Sequence, residues 1–221
     1  ADYIDWLTAQ IQQHQPVHVV TLNAEMVMQA NQDRALAAVI RSAELVVPDG
    51  AGIVLHFRLR GRLVQRCRGI ELAEALLQRS SKRERKASPP TTVFFYGGKP
   101  GVAQGAAQHW QHICPGMAIA GTQHGYLSDA EQAELRHTLA TQQPQIILVG
   151  LGVPRQEFWI AEHRHLCPRS VWVGVGGSFD IWAGTKDRAP EWFRANHLEW
   201  LYRLYQEPWR WRRMLALPKF A

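Results

Sequence analysis

Six short apolar runs, each followed by a polar turn or a stretch of helical spacing, constrain this chain more than any other feature. They span residues 17–22, 45–47, 92–96, 117–120, 146–149 and 171–175. The runs are rich in Val, Ile and Phe and mostly end in Gly, Asn or Asp, as strands do where the chain must turn. Between them, residues 25–40, 69–78, 102–113, 129–141 and 154–166 carry apolar positions three or four apart, the period of a helix. Nearly continuous apolar strands alternating with helices predict a Rossmann-like α/β fold, a parallel sheet with helices on both faces. Ser128-Asp129 ahead of Glu131 predicts a helix cap, and Pro154 suits a first turn. The charged stretch 80–90 reads as a solvated connection.

After residue 190 the pattern changes, so residues 1–190 are expected to form the core and 191–221 a helical appendage. The chain of 221 residues carries a net charge of +6, and much of the excess sits in that appendage. Arg194, Arg203, Arg210, Arg212, Arg213 and Lys219 face only Glu191, Glu199 and Glu207 there, alongside Trp192, Trp200, Trp209 and Trp211. A basic, Trp-rich end predicts an anionic partner surface. A stripe of Leu198, Leu201, Tyr202 and Tyr205 is expected to dock on the core or across a subunit interface, leaving the Trp-Arg segment to face lipid. No recognised motif supports nucleic acid as the anion. Oligomeric state is open, and a homo-oligomer is compatible with the stripe.

Several chemistries are excluded by pattern. Cys67, Cys114 and Cys167 form neither a disulfide framework nor a zinc motif, and reduced thiols are expected. No apolar run reaches the length of a membrane-spanning helix, and the N-terminus does not read as a secretory leader. The histidines lack a third ligand at sensible spacing, no Asp-x-Asp pair is present, and no Ser or Cys occupies a nucleophile elbow. No metal site is therefore expected, and any diphosphate falls to arginine.

In open parallel sheets, ligands bind beyond the carboxyl ends of the strands. Those ends carry Thr21-Leu22-Asn23, Pro48-Asp49-Gly50, Gly97-Gly98-Lys99, Gly150-Leu151-Gly152 and Gly174 through Asp180, including Gly176. Each loop alone is a weak signal; together they point to a nucleotide or nucleotide-sugar site, since glycine lets backbone N–H groups approach phosphate. Asp49 is the leading general-base candidate, although residue chemistry alone favours a helix cap there. Asp180 reads equally as a cap or a nucleotide contact. Thr21 and Asn23 read as turn chemistry or ligand contacts, and Gln156 and Glu157 as ligand contact or partners of a helix N-terminus.

The ordered motifs Thr21-Leu22-Asn23-Ala24-Glu25, Pro48-Asp49-Gly50-Ala51-Gly52, Arg66 with Gly69, Phe95 through Gly101, Gly125-Tyr126, Gly150 through Glu157, Gly174 through Asp180, Arg188-Ala189-Pro190 and Leu198 through Arg203 resemble the WecG/TagA/CpsF family of bacterial glycosyltransferases. The resemblance covers nearly the whole chain. It departs from the family in starting at Ala1 and lacking the short strand that usually opens such proteins. It implies inverting, metal-independent transfer of N-acetylmannosamine, its uronic acid or glucose from a UDP-sugar to an undecaprenyl-diphosphate-linked sugar, with no cofactor. It implies Asp49 as base, Thr21, Asn23, Arg66 and Gln156 around the sugars, and Gly97, Gly98, Gly150, Gly152, Gly176 and Asp180 around the nucleotide. Arg203, Arg210 and Arg213 would complete the site from the appendage, at the cytoplasmic face of the plasma membrane. The alternatives are a non-catalytic UDP-sugar-binding module and a dinucleotide-dependent oxidoreductase. The latter is disfavoured by the missing third glycine of the fingerprint.

Overall fold

The computed structural model describes residues 3–81, 90–196, 198–206 and 208. Helix α1 (Tyr3–Gln12) leads into β1 (Val17–Leu22), α2 (Ala24–Gln32), α3 (Arg34–Ser42), β2 (Leu45–Pro48), α4 (Ala51–Leu59) and α5 (Gly69–Ser81). The second half runs β3 (Thr92–Gly97), α6 (Val102–Ile113), β4 (Ala118–Gln123), α7 (Asp129–Gln142), β5 (Ile146–Gly150), α8 (Arg155–His163), a 3-10 turn, β6 (Val171–Gly174) and α9 (Ser178–Trp182). Helices α10 (Glu191–Ala195) and α11 (Glu199–Gln206) follow. All pairings are parallel and the strand order is β2-β1-β6-β5-β3-β4. This is the sheet the apolar runs predict.

Alternate side chains of each strand enter opposite cores, the period-two consequence of the pleat. Val19, Val93, Phe95, Leu148 and Val173 pack with Leu7, Leu76, Trp110 and Phe179 from α1, α5, α6 and α9. Phe94, Tyr96, Ile147, Val149 and Trp172 pack with Leu135, Leu139 and Ile160 from α7 and α8. Burial on both faces explains why the strands read as continuous apolar runs rather than alternating ones.

Three local expectations change. The helix expected over 25–40 is two helices, because the Asp33 side chain accepts from Ala35 N and Leu36 N (2.9 and 3.2 Å) and starts α3 afresh. Residues 3–12 and 51–59 are helical although neither region stood out as a helix in sequence. The expected cap at Asp49 is also corrected, since the N-cap of α4 is Gly50. The capping box at Ser128 and Glu131 is present, as predicted.

His18, on β1, is 1% exposed, and burial first, then the nearby Arg164 guanidinium, push its pKa down to about 4. Unfolded, the imidazole returns to about 6.5, so between those values the unfolded chain binds the extra proton and acid weakens the fold. Replacing His18 by Leu removes that dependence. The unfolding free energy of wild type relative to His18→Leu should fall by on the order of 3 kcal/mol between pH 7 and pH 4, measured by urea denaturation.

Candidate active site

Every loop flagged by sequence ends at the carboxyl edge of the sheet. On the β1–β2 side, Asn23 serves as N-cap of α2, its Oδ1 accepting from Met26 N at 2.9 Å. Its turn-chemistry reading is therefore the one the geometry shows. Asp49 N donates to Leu22 O at 2.8 Å, which ties the ends of β1 and β2 together. The chain then leaves through α4 and returns, closing at its base where Cys67 N donates to Pro48 O (2.8 Å) and Arg66 Nε to Asp49 O (2.7 Å). Asp49 is thus held through its main chain on both sides.

Arg66 also reaches the C-terminal region. Its guanidinium donates to Glu199 Oε2 on α11 at 3.1 Å, and Arg68 Nε lies 3.2 Å from the same oxygen. Arg68 further donates to Arg194 O (2.8 Å) and pairs with Glu71 (3.0 Å), which Arg188 meets at 2.7 Å. Glu199 is 7% exposed. The sequence reading placed it in a basic tail and within the Leu198–Arg203 motif, and gave it no role of its own. A signal was present, because Leu198, Glu199 and Tyr202 share one helical face at spacing i, i+1, i+4. The expected four-residue stripe is correspondingly split: Leu198 and Tyr202 are half-buried, Tyr202 against Phe193, while Leu201 and Tyr205 are exposed.

At the centre, Thr21 Oγ1 approaches Gly174 O at 3.5 Å. Gln156 is 2% exposed; its Oε1 accepts from Gly176 N (3.0 Å) and its Nε2 donates to Glu157 Oε1 (2.8 Å). Glu157, expected at a helix N-terminus, is also buried. Desolvation raises its pKa, opposed by the Gln156 hydrogen bond.

On the β3–β5 side, Gly98 N donates to Gly150 O (3.0 Å) and Gly125 N to Gly98 O (2.8 Å). Gly97 has φ +132°, and a Cβ there would collide with the Gly150 carbonyl, so only glycine fits. The chain leaves β3 outward to β4 and β5 inward to β6, which makes this a point where loops part to form a crevice. The N-caps of α6, α8 and α9 (Gly101, Pro154, Gly177) make no side-chain cap hydrogen bond. Gly152 and Gly176 take left-handed φ values of +75° and +52° in the adjoining turns. Asp180 lies in the first turn of α9 rather than at its cap, with Oδ2 3.8 Å from Lys186 Nζ. Tyr126, following Gly125, is 64% exposed beside this crevice. Arg203 lies on α11, but its side chain, and Arg210 and Arg213 altogether, fall outside the described residues.

A parallel α/β sheet whose carboxyl edge gathers glycine turns and uncapped helix starts is an architecture in which phosphate-bearing ligands commonly bind. The chain belongs to the WecG/TagA/CpsF family of glycosyl transferases, whose sequence model matches residues 1–221. It is 39% identical over 215 residues to the N-acetylglucosaminyldiphosphoundecaprenol N-acetyl-beta-D-mannosaminyltransferase of Bacillus spizizenii, covering 97% of this chain and 80% of that one. The protein of the same name from Bacillus subtilis is 37% identical over 221 residues, covering 99% of this chain and 83% of the relative. The protein is accordingly a glycosyltransferase.

Breaking the Arg66–Glu199–Arg68 cluster should uncouple α11 from the Asp49 loop. Glu199→Ala is expected to cost about 3 kcal/mol, as removal of one member of a buried ion cluster does. Hydrogen exchange should show faster loss of protection across α11 than across β5.

Proposed function

We propose that the protein transfers N-acetylmannosamine from its UDP-sugar to the N-acetylglucosamine of an undecaprenyl-diphosphate-linked acceptor. The names of the two Bacillus relatives support this pairing of donor sugar and acceptor. The observation that carries the mechanism is that Asp49 does not occupy the α4 cap and is fixed through its main chain between Leu22 and Arg66. An acid whose backbone is fixed at the ligand edge suits a general base.

In this reading Asp49 takes the proton of the acceptor hydroxyl as that oxygen attacks the anomeric carbon, and UDP departs from the opposite face. One displacement inverts the anomeric configuration. Charge grows on the leaving diphosphate, where the open N-termini of α6 and α8 and the glycine amides around Gly98 and Gly150 can receive it. Arginines from the appendage complete this neutralisation, so the reaction needs no metal or cofactor. Exposed Tyr126 offers a face for the uracil ring. Thr21, Asn23 and Gln156 shape the sugar site partly by holding the strand ends in register. Because the acceptor is lipid-linked, the enzyme works at the cytoplasmic face of the plasma membrane as a peripheral protein. No helix among the described residues is long and apolar enough to cross a membrane.

Asp49→Asn should lower turnover with UDP-N-acetylmannosamine and lipid acceptor by about 10²- to 10⁴-fold while leaving UDP-induced thermal stabilisation intact. Near wild-type turnover would remove Asp49 from the base role. A panel of UDP-sugars tests the donor, and faster transfer of glucose or the uronic acid would overturn that part of the reading.

A further inference from the structure

The excursion between Asp49 and Arg66 carries an apolar and basic surface that glycosyl transfer as described does not use. Helix α4 buries Ile53 and half-buries Phe57. A helix serving only as cover would place polar residues on its other side. Here Leu55 is 52% exposed, Leu59 70% and, past the turn, Leu63 89%. Arg58, Arg60 and Arg62 alternate with these leucines, all exposed and none paired with an acid among the described residues. From Gly50 through Arg68 the sequence contains five arginines and not one Asp or Glu.

We infer that the outer face of α4 and the loop through Leu63 is a second membrane-docking surface, seated in an anionic lipid interface beside the catalytic loop. Charge selects this occupant over the other two at hand. The segment after residue 206 carries Arg210, Arg212, Arg213 and Lys219 against Glu207, and a second copy would bring its own three arginines to the same face. Both would meet the patch with like charge. Leucines entering the acyl boundary while arginines hold lipid phosphates is the arrangement of an interfacial amphipathic helix.

The placement has a use. Gly50, the N-cap of α4, adjoins Asp49, so a face of α4 in the lipid interface brings a lipid-linked acceptor to the edge where Asp49 sits. The same loop is joined through Arg66–Glu199 to α11, where Tyr205 is 83% exposed. The patch and the appendage therefore approach the bilayer as one linked unit.

The usefulness of this surface rests on the lipid-linked acceptor proposed above, but its existence can be tested without any substrate. Full-length wild type, L55Q/L59Q/L63Q and R58Q/R60Q/R62Q are sedimented with vesicles of phosphatidylglycerol and phosphatidylcholine, and with phosphatidylcholine alone. The leucine variant should bind mixed vesicles about tenfold more weakly or worse. The arginine variant should lose its preference for the anionic vesicles by on the order of fivefold per arginine at low salt. Both should keep the wild-type melting temperature and wild-type transfer to a water-soluble, short-chain acceptor, while transfer to vesicle-borne acceptor falls. Vesicle binding unchanged in both variants overturns the inference. So does a change confined to self-association in sedimentation velocity, which would make the patch a contact between copies. If wild type transfers sugar to neither acceptor, the glycosyl-transfer reading fails while vesicle partition still decides this one.

Discussion

Covering both faces of a parallel sheet with helices leaves only its two ends open, and the constraint decides where chemistry can occur. Helices α1, α5, α6 and α9 close one face and α7 and α8 the other. The interiors of the central strands β1, β3, β5 and β6 are spent on two cores at once, so their side chains meet solvent only near the strand ends. Residues that act on a ligand must lie where strands end, and the polar and glycine-rich segments lie there: Asn23, Asp49, Gly97, Gly150 and Gly174. Glycine at these ends reflects crowding between adjacent strands, as the Gly97–Gly150 approach shows, as much as ligand access.

The ion cluster around Glu199 works by a different balance. Removing two guanidiniums and a carboxylate from water costs more than one pair's attraction returns, and hydrophobic replacement is often no less stable. What such a cluster provides is a single geometry. Arg66 uses one nitrogen on the Asp49 carbonyl and another on Glu199, so the Asp49 loop and α11 share a fastener. Arg68 adds a bond to the α10 carbonyl of Arg194. The C-terminal helices are therefore connected to Asp49 by charge rather than by the apolar stripe their sequence suggested, and Leu201 and Tyr205 remain on the outside.

Most of the fold was legible because buried parallel strands leave a dense apolar signature, and all six fell where the runs are. The losses have physical causes. Apolar positions lie on both sides of Asp33, and its one side chain, bonding two amides, ends a helix and begins another. Helix α4 was invisible because apolar residues occur on its inner and outer sides, which erases the stripe periodicity depends on. At the site, spacing found Asp49 but misassigned its local duty, since whether Asp49 or Gly50 caps depends on where the helix begins. Glu157 read as a partner of a helix N-terminus or a ligand contact; its burial follows from α8 tucking against Gly174, which no local pattern encodes.

The edge is best understood as two halves with a seam. On the β3–β5 side, glycine carbonyls and amides interlock and helix starts are left uncapped, which suits a leaving diphosphate. On the β1–β2 side sit Asp49, the base of the proposed reaction, and Arg66 bonded to its carbonyl. Displacement at an anomeric carbon needs both at once, with attacking and leaving oxygens on opposite faces of the sugar, so the distance between the halves has to be held. Strand β6 lies between them, and its end is bonded in both directions: Thr21 reaches Gly174 O from β1, and Gln156 accepts from Gly176 N on the β5 side. Thr21 and Gln156 thereby help fix the spacing between the two halves of the edge. A buried amide serves that purpose well, because a side chain 2% exposed and bonded at both its oxygen and its nitrogen has little freedom to let the seam slip.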